Sequence, residues 1–270
     1  MKFQTNIDII SPNFSFKPCE RVLFVGSCFA DNIGKRFKEE KFRTIVNPFG
    51  VMYNPVSILH TVQKLSNQVF DIAVFTLGTN HVYVEKATGE IVDNCQKRPH
   101  KLFNEQELTI DESANALREA IHLLRKQNPN VKVIVTVSPI RYAKYGFHGS
   151  QLSKATLLLA ADKIAREEGE AVYYFPAYEI VNDELRDYRF YKADMLHPNE
   201  QAVEYIWERL VETCFSSEAK KFLEAWRPIK EALGHRPFNP DSEAYRLFMQ
   251  KTKEKIQWLK QLYPDLELDE

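Results

Sequence analysis

Residues 21–34 read Arg-Val-Leu-Phe-Val-Gly-Ser-Cys-Phe-Ala-Asp-Asn-Ile-Gly, and this stretch decides the fold. The branched and aromatic run before Gly26 predicts a buried β-strand. After the glycine, Phe29, Ile33 and Phe37 recur at every fourth position, which predicts an amphipathic helix. Polar side chains at this junction therefore lie at a strand-to-helix turn, where backbone N–H groups and the helix dipole favour negative charge.

Predicted strands and helices alternate over residues 22–175, as in a doubly wound parallel sheet. We therefore expect a three-layer α/β sandwich with strand order 2-1-3-4-5, in which Val22–Val25 and Asp71–Leu77 are neighbouring central strands. A short strand is also predicted near Thr5–Ile10, and a long helix over Glu105–Gln127. In such sheets ligands bind beyond the carboxyl ends of the strands.

Polar residues follow four of the predicted strands and so should meet at one edge of the sheet. A sheet that is covered on both faces can expose reactive groups only at the ends of its strands, so this clustering predicts a functional site there. These residues are Ser27 and Cys28, Asn47 and Gly50, Asn80 and His81, and Ser138 and Arg141.

The C-terminal part of the chain lacks strand patterns. Residues 218–233 and 242–262 are expected to form two amphipathic helices. We predict an α/β domain over residues 1–215 and a helical appendage over residues 216–270. The appendage is expected to pack on the sandwich through four aromatic side chains, those of Phe222, Trp226, Phe248 and Trp258.

Composition narrows the class of protein. The 270 residues carry 36 basic and 37 acidic side chains, a net charge of −1, which argues against a nucleic-acid surface or a polybasic membrane surface. Neither a signal peptide nor a transmembrane run is visible, so a cytoplasmic location with no membrane partner is expected. We expect free thiols, no metal site and no cofactor, because the cysteines are far apart: Cys19, Cys28, Cys95 and Cys214.

Asp194-x-x-His197 is the second informative motif. This spacing, in a loop before a predicted helix, lets the carboxylate hold the imidazole in one tautomer while its other nitrogen faces a nucleophile. Taken alone, the pair is more often an ordinary turn. Together with a nucleophile after the first strand and Gly78-Thr79-Asn80 after the third, it favours a catalytic site.

In that order these motifs resemble the SGNH (GDSL-type) hydrolase superfamily, and residues 26–30, Gly-Ser-Cys-Phe-Ala, resemble the signature of its GSCFA family. The resemblance runs from the N-terminus to about residue 250. It implies the SGNH fold and an esterase-type site, without giving a substrate. The further matching motifs are Asn-Pro-Phe-Gly-Val-Met-Tyr-Asn-Pro at 47–55, Thr-Leu-Gly-Thr at 76–79, Ser-Pro-Ile-Arg at 138–141 and Tyr-Arg-Phe-Tyr at 188–191.

Two adjacent residues compete for the role of nucleophile. In SGNH enzymes the first motif is Gly-Asp-Ser, so alignment on Gly26 places Ser27 on the aspartate and Cys28 on the nucleophile. A thiol at a helix N-terminus is expected to have a lowered pKa and can pair with His197. We favour Cys28, and Ser27 stays open as the alternative.

The resemblance also implies an oxyanion hole from the backbone N–H of the first motif, the Gly50 N–H and the Asn80 amide. Arg141 could hold an anionic or carbohydrate group, and a surface salt bridge is as good an interpretation. His81 is a candidate for the mouth of the site.

The sequence thus predicts a hydrolase that acts on a small-molecule or carbohydrate ester through Cys28 or Ser27, with His197 and Asp194. The alternatives are an acyltransferase that uses the same site and a non-catalytic binding module on the same scaffold. The oligomeric state, the substrate and the pathway are not set by these patterns.

Overall fold

The computed structural model describes residues 4–65, 67–93, 95 and 98–268. Residues 1–3 of the predicted α/β domain and residues 269–270 of the predicted appendage lie outside the described residues. Eight strands are found in this part of the chain: β1 (Arg21–Gly26), β2 (Arg43–Val46), β3 (Ile72–Leu77), β4 (His81–Glu85), β5 (Ile91–Val92), β6 (Phe103–Glu107), β7 (Lys132–Val137) and β8 (Val172–Tyr174).

Helices separate the strands of the main sheet and continue to the C-terminus. In the described residues they are α1 (Cys28–Glu39), α2 (Pro55–Lys64), α3 (Ile110–Gln127), α4 (Gly146–Glu168), α5 (Ala177–Glu179, continued by a π-helix over Ile180–Leu185), α6 (Glu200–Cys214), α7 (Ser217–Gly234) and α8 (Glu243–Leu262).

Five parallel strands form the main sheet in the order β2-β1-β3-β7-β8. This confirms the predicted α/β class and the 2-1-3-4-5 order, with β1 and β3 as neighbours. Side chains alternate across β1, so Val22 and Phe24 face one helical layer while Leu23 and Val25 face the other. Helices α1, α5 and α6 cover the first face, and α2, α3 and α4 cover the second.

A second sheet of three antiparallel strands, β5-β4-β6, lies outside the main sheet. It corrects the predicted helix over Glu105–Gln127, because Glu105 pairs with Tyr83 inside β6. The helix begins later for a local reason. The Thr109 hydroxyl accepts from the Glu112 N–H, and the Glu112 carboxylate accepts from the Thr109 N–H, a capping box that starts α3 at Ile110.

The expected strand near Thr5–Ile10 is also wrong, since these residues have irregular backbone. Ile7 and Ile9 pack against the hydrophobic core on the α1 and α6 side. Their alternation therefore reflects packing on helices without a neighbouring strand.

The C-terminal helices pack on the sandwich through one face of α7. Phe222 and Trp226 are buried, and the Trp226 indole N–H donates to the Glu39 carbonyl at 2.9 Å. Phe248 and Trp258 were predicted to pack on the sandwich in the same way, but these side chains are 41% and 53% exposed. The core between α7 and α8 uses Leu259 from α8 instead. The boundary at residue 215 stays a prediction.

Candidate functional site

The chain turns from β1 into α1 at Gly26, whose φ is +146°. A Cβ at this position would lie 2.2 Å from the Thr76 carbonyl oxygen, so a larger residue would collide with β3. The Gly26 N–H donates to Asn47 Oδ1 at 2.9 Å. This close approach fixes the start of α1 against the carboxyl ends of β1 and β3.

Ser27 and Cys28 follow this turn and differ sharply in exposure. Ser27 is 0% exposed, and its hydroxyl caps α1 by accepting from the Phe29 N–H at 3.3 Å. The same oxygen lies 3.2 Å from Thr76 Oγ1. Cys28 begins the helix and is partly exposed. The serine hydroxyl is thus used inside the protein, while the Cys28 side chain packs against the core and stays partly exposed.

The electrostatics at Cys28 oppose the expectation of a lowered pKa. Burial raises the pKa of the thiol, and the Asp31 carboxylate raises it further. The backbone N–H at the helix start and the ammonium groups of Lys154 and Lys192 lower the pKa, but burial is the larger cause. A helix N-terminus alone therefore does not make this thiol acidic.

Lys154 on α4 is a buried basic residue of the site, with 2% of its surface exposed. Its Nζ donates to the carbonyls of Gly78 and Ser138, each at 2.7 Å. Burial lowers the pKa of Lys154 to about 7. The side chain therefore links α4 to the loops that follow β3 and β7.

Two tyrosines lie beside the same loops. The Tyr142 hydroxyl is 2.5 Å from the point that a Cβ on Gly78 would occupy, and Ser27 Cβ is 3.3 Å from that point. The rings of Tyr53 and Tyr142 meet edge to face with centroids 6.0 Å apart. Burial raises the pKa of Tyr142, and a charge on Cys28 raises it further. The Tyr142 hydroxyl is therefore buried and neutral at neutral pH.

The Asp194 carboxylate contacts the His197 imidazole. Asp194 Oδ2 lies 2.7 Å from His197 Nδ1, and Asp194 Oδ1 accepts from the His197 and Leu196 N–H groups at 3.0 and 2.8 Å. These backbone and imidazole donors lower the pKa of Asp194 to about 2. The side chains are 39% and 42% exposed for His197 and Asp194, so the imidazole is held in one orientation at the surface.

Lys192 connects this loop with the nucleophile candidate. Its N–H donates to the His197 carbonyl at 2.8 Å, and its ammonium group lowers the pKa of Cys28. The loop that carries His197 therefore lies within electrostatic range of Cys28. Among the described residues the side-chain partner of His197 is Asp194. A direct pairing of His197 with Cys28 stays a prediction.

The two further donors suggested for an oxyanion hole have internal partners. The Gly50 N–H donates to the Asn47 carbonyl at 2.9 Å in a turn. The Asn80 Nδ2 donates to the Leu108 carbonyl at 2.9 Å, and the Asn80 N–H donates to Ser153 Oγ at 3.0 Å. A role for the Gly50 N–H in binding an oxyanion requires an exchange of partners, whereas the Asn80 side-chain amide has a second N–H. Both roles stay predictions.

Arg141 lies against the Asp194–His197 loop. Its N–H donates to the Leu196 carbonyl at 3.1 Å, and its guanidinium donates to the Met195 carbonyl at 2.9 Å. The guanidinium carbon is 4.2 Å from the centroid of the exposed Phe147 ring and 6.0 Å from that of the exposed Tyr188 ring. The result is an aromatic and cationic surface beside the loop that carries His197.

His81 lies at the start of β4. Its ring stacks on Tyr145 with centroids 3.6 Å apart, and its Nδ1 is 3.6 Å from Glu105 Oε1. Burial lowers the pKa of His81. These contacts belong to the small sheet and its neighbouring loop, so a role for His81 at the mouth of the site stays a prediction.

Sequence reasoning missed Lys154, Tyr53 and Tyr142. A signal for the lysine was present, because it occupies the buried stripe of α4. A charged residue in such a stripe needs partners at the strand ends below it. The buried residues of this stripe are Ser150, Ser153, Lys154, Leu157, Ala160, Ala161 and Ile164.

Within the described ranges, no group of three or more His, Cys, Asp or Glu side chains is placed to hold a metal ion. In the same part of the chain, no helix combines the length and the hydropathy needed to cross a membrane.

Comparison with protein families gives two matches in series. The GSCFA family model covers residues 21–71 and 64–210, and the model of the GSCFA C-terminal domain covers residues 226–270. The chain is a member of the GSCFA family. No curated protein matches the sequence.

Several solved structures are similar to this GSCFA protein. A protein described as a GDSL-like lipase from Parabacteroides merdae superposes with a TM-score of 0.51 at 15% identity, over 75% of this chain and 99% of that one. An acetylxylan esterase from Geobacillus stearothermophilus superposes with a TM-score of 0.48 at 14% identity, over 75% of this chain and 98% of that one. A family 3 carbohydrate esterase from Talaromyces cellulolyticus superposes with a TM-score of 0.45 at 14% identity, over 76% of this chain and 98% of that one. The GSCFA protein has the SGNH-type α/β fold.

Proposed function

We propose that this GSCFA protein is a hydrolase that cleaves an ester or an acylated carbohydrate by nucleophilic catalysis. Cys28 attacks the carbonyl carbon, His197 transfers the proton, and Asp194 orients His197. The observation that carries the proposal is the contrast between the two adjacent nucleophile candidates. Ser27 is buried with its hydroxyl bonded inside the protein, whereas Cys28, at the N-terminus of α1, is partly exposed.

The reaction would proceed in two steps. His197 takes the proton of the Cys28 thiol as the sulfur forms a bond to the acyl carbon, and the ester C–O bond breaks as the leaving oxygen takes that proton from His197. Water then gives a proton to His197 while its oxygen forms a bond to the thioester carbon, the C–S bond breaks, and His197 returns the proton to the sulfur. Asp194 suits this cycle, because its low pKa keeps it charged when the imidazole becomes positive.

An acylated carbohydrate is the substrate class that the surface beside His197 favours. Phe147 and Tyr188 are exposed, and both lie against the Arg141 guanidinium. Aromatic rings with an exposed face offer apolar contact area while the guanidinium offers planar donors. Such a surface can hold a sugar ring next to the ester bond that is cleaved.

The test is the release of carboxylate from a panel of acetylated sugars and activated acyl esters. Release by the wild type, with loss in both Cys28→Ala and His197→Ala, is the expected result. An added sugar acceptor that becomes acylated instead would identify acyl transfer at the same site. If none of the panel is cleaved while sugars bind, the binding-module alternative replaces the proposal.

A further inference from the structure

Helix α8 has two apolar faces, and one of them is covered by the rest of the chain. The covered face contains the buried Thr252 and Leu259, and Leu259 joins the apolar cluster between α7 and α8. The second face carries Leu247, Trp258 and Leu262, which are 53%, 53% and 54% exposed. Large apolar side chains that recur along one exposed helix face are typical of a contact with another protein.

These three side chains belong to one line of residues along α8, which we call the exposed stripe. At 3.6 residues per turn, its members fall within about 80° of one another around the helix axis. The stripe lies about 120° around the axis from the covered face. Its six members are all exposed, and they are Ala244, Leu247, Lys251, Glu254, Trp258 and Leu262.

The exposed stripe is complementary to itself when a second copy of α8 lies antiparallel to it. A two-fold axis through the midpoint of α8 (Glu243–Leu262) brings together residues that are equally distant from that midpoint. Leu247 then lies at the height of Trp258 of the second copy. In the same way, Lys251 lies at the height of Glu254 of the second copy.

The charges in the middle of the stripe favour the antiparallel arrangement. It forms two Lys251–Glu254 ion pairs between the copies, whereas a parallel arrangement would place like charges opposite each other. Glu254 accepts a hydrogen bond from Gln250 Nε2 at 3.3 Å. In the part of the chain that the structure describes, neither Lys251 nor Glu254 forms an ion pair. Both charged groups are therefore available to a second copy.

We infer that α8 is the interface of a homodimer in which two copies of this chain pair antiparallel through the exposed stripe. Both copies use the same surface, so the contact closes at two chains. One pair of helices about 30 Å long is at the small end of stable interfaces, so a dissociation constant of about 1–100 μM is expected. The stripe contains no residue of the candidate site, and the inference therefore does not depend on ester cleavage.

The first experiment is sedimentation velocity over a range of protein concentrations that spans this dissociation constant. The wild type should pass from monomer to dimer as its concentration rises. Lys251→Glu places acidic side chains opposite acidic side chains, so it should weaken association at least about tenfold at low salt. A wild type that stays monomeric over the whole range would overturn the inference.

The matched control is Lys253→Glu. It makes the same change of charge at an exposed residue of the same helix, about 150° around the axis from the exposed stripe. This variant should associate like the wild type. Equal weakening by Lys253→Glu and Lys251→Glu would show an effect of net charge alone, and the stripe would lose its role.

A mixture of two variants tests the pairing itself. Lys251→Glu and Glu254→Lys each repel a copy of the same variant, but one chain of each forms two ion pairs. The mixture should therefore dimerise more tightly than either variant alone. A chain that carries both changes should regain wild-type association. A mixture that is no tighter than its components would overturn the antiparallel register.

The apolar part of the interface has its own matched pair of variants. Leu247→Ala should weaken dimerisation about tenfold, because the side chain packs on Trp258 of the second copy. Leu159 on α4 is 54% exposed, nearly the same as Leu247, and Leu159→Ala should leave dimerisation unchanged. A dimer that is weakened by Leu159→Ala and not by Leu247→Ala would place the interface on another face of the protein.

Discussion

The two halves of the candidate site lie in opposite environments. The nucleophile half, Cys28 with Lys154, is built into the sandwich, and burial governs the pKa of both groups. The proton-transfer half, Asp194 with His197, is a surface loop in which hydrogen bonds govern the pKa of the carboxylate. Substitutions in the first half should therefore affect both the stability of the fold and the reactivity of the site. Substitutions in the second half should affect reactivity alone.

The largest effect is expected from a glycine substitution in the buried half. A Cβ on Gly26 would meet the Thr76 carbonyl at 2.2 Å, so Gly26→Ala should lose about 3–5 kcal/mol of unfolding free energy or fail to fold. The matched control is Gly50→Ala, where φ is also positive and no atom lies within 4 Å. That variant should lose about 1 kcal/mol. Urea unfolding measures both, and equal losses would refute the contrast.

Next in size is the effect of His197→Ala on turnover. Removal of a general acid and base should lower ester cleavage by about 10²–10⁴-fold. Unfolding free energy should change by less than about 0.5 kcal/mol, because the side chain is at the surface.

The chain offers a matched control for this variant in His60. Its Nδ1 lies 2.7 Å from Asp93 Oδ1, so it forms a histidine–aspartate pair of the same length between α2 and the residue that follows β5. His60→Ala should keep wild-type turnover. A similar loss in both variants would assign the effect to something other than proton transfer at His197.

The smallest effect is the pH dependence of stability that comes from Asp194. Its pKa is about 2 in the folded protein and about 3.9 in an unfolded chain, so ionisation favours the folded state. The contribution is fully present above about pH 4 and is lost as the pH falls toward 2. The stability difference between the wild type and Asp194→Asn should therefore shrink over that range in urea unfolding. A difference that stays constant from pH 6 to pH 2 would show that the carboxylate is not held as described.

Much of the fold could be predicted from sequence because both faces of the main sheet are buried. Apolar runs such as Val22–Val25 therefore indicate buried strands, and the glycine after them marks the turn. The strand β6 could not be predicted from its own residues, because Asn104 and Glu105 carry no strand pattern and are held by pairing with β4. The capping box at Thr109 was the signal that would have moved the start of α3.

The site divides in the same way. The Asp194–His197 contact depends on a spacing of three residues, so sequence reasoning could predict it. The partners of Lys154 lie far from it along the chain, at Gly78 and Ser138, and only the fold brings them together. The raised pKa of Cys28 was missed for a related reason, since burial by distant segments outweighs the local helix terminus.

The most direct test of the central claim is the site of a covalent acyl adduct. Wild-type protein and the variants Cys28→Ala and Ser27→Ala are incubated with an activated acyl ester, and intact mass and peptide spectra locate the added acyl group. Because Ser27 is fully buried and Cys28 is partly exposed, the adduct should form on Cys28 in the wild type and in Ser27→Ala and should be absent from Cys28→Ala. An adduct on Ser27, or one that persists in Cys28→Ala, would contradict the assignment of Cys28 as the nucleophile.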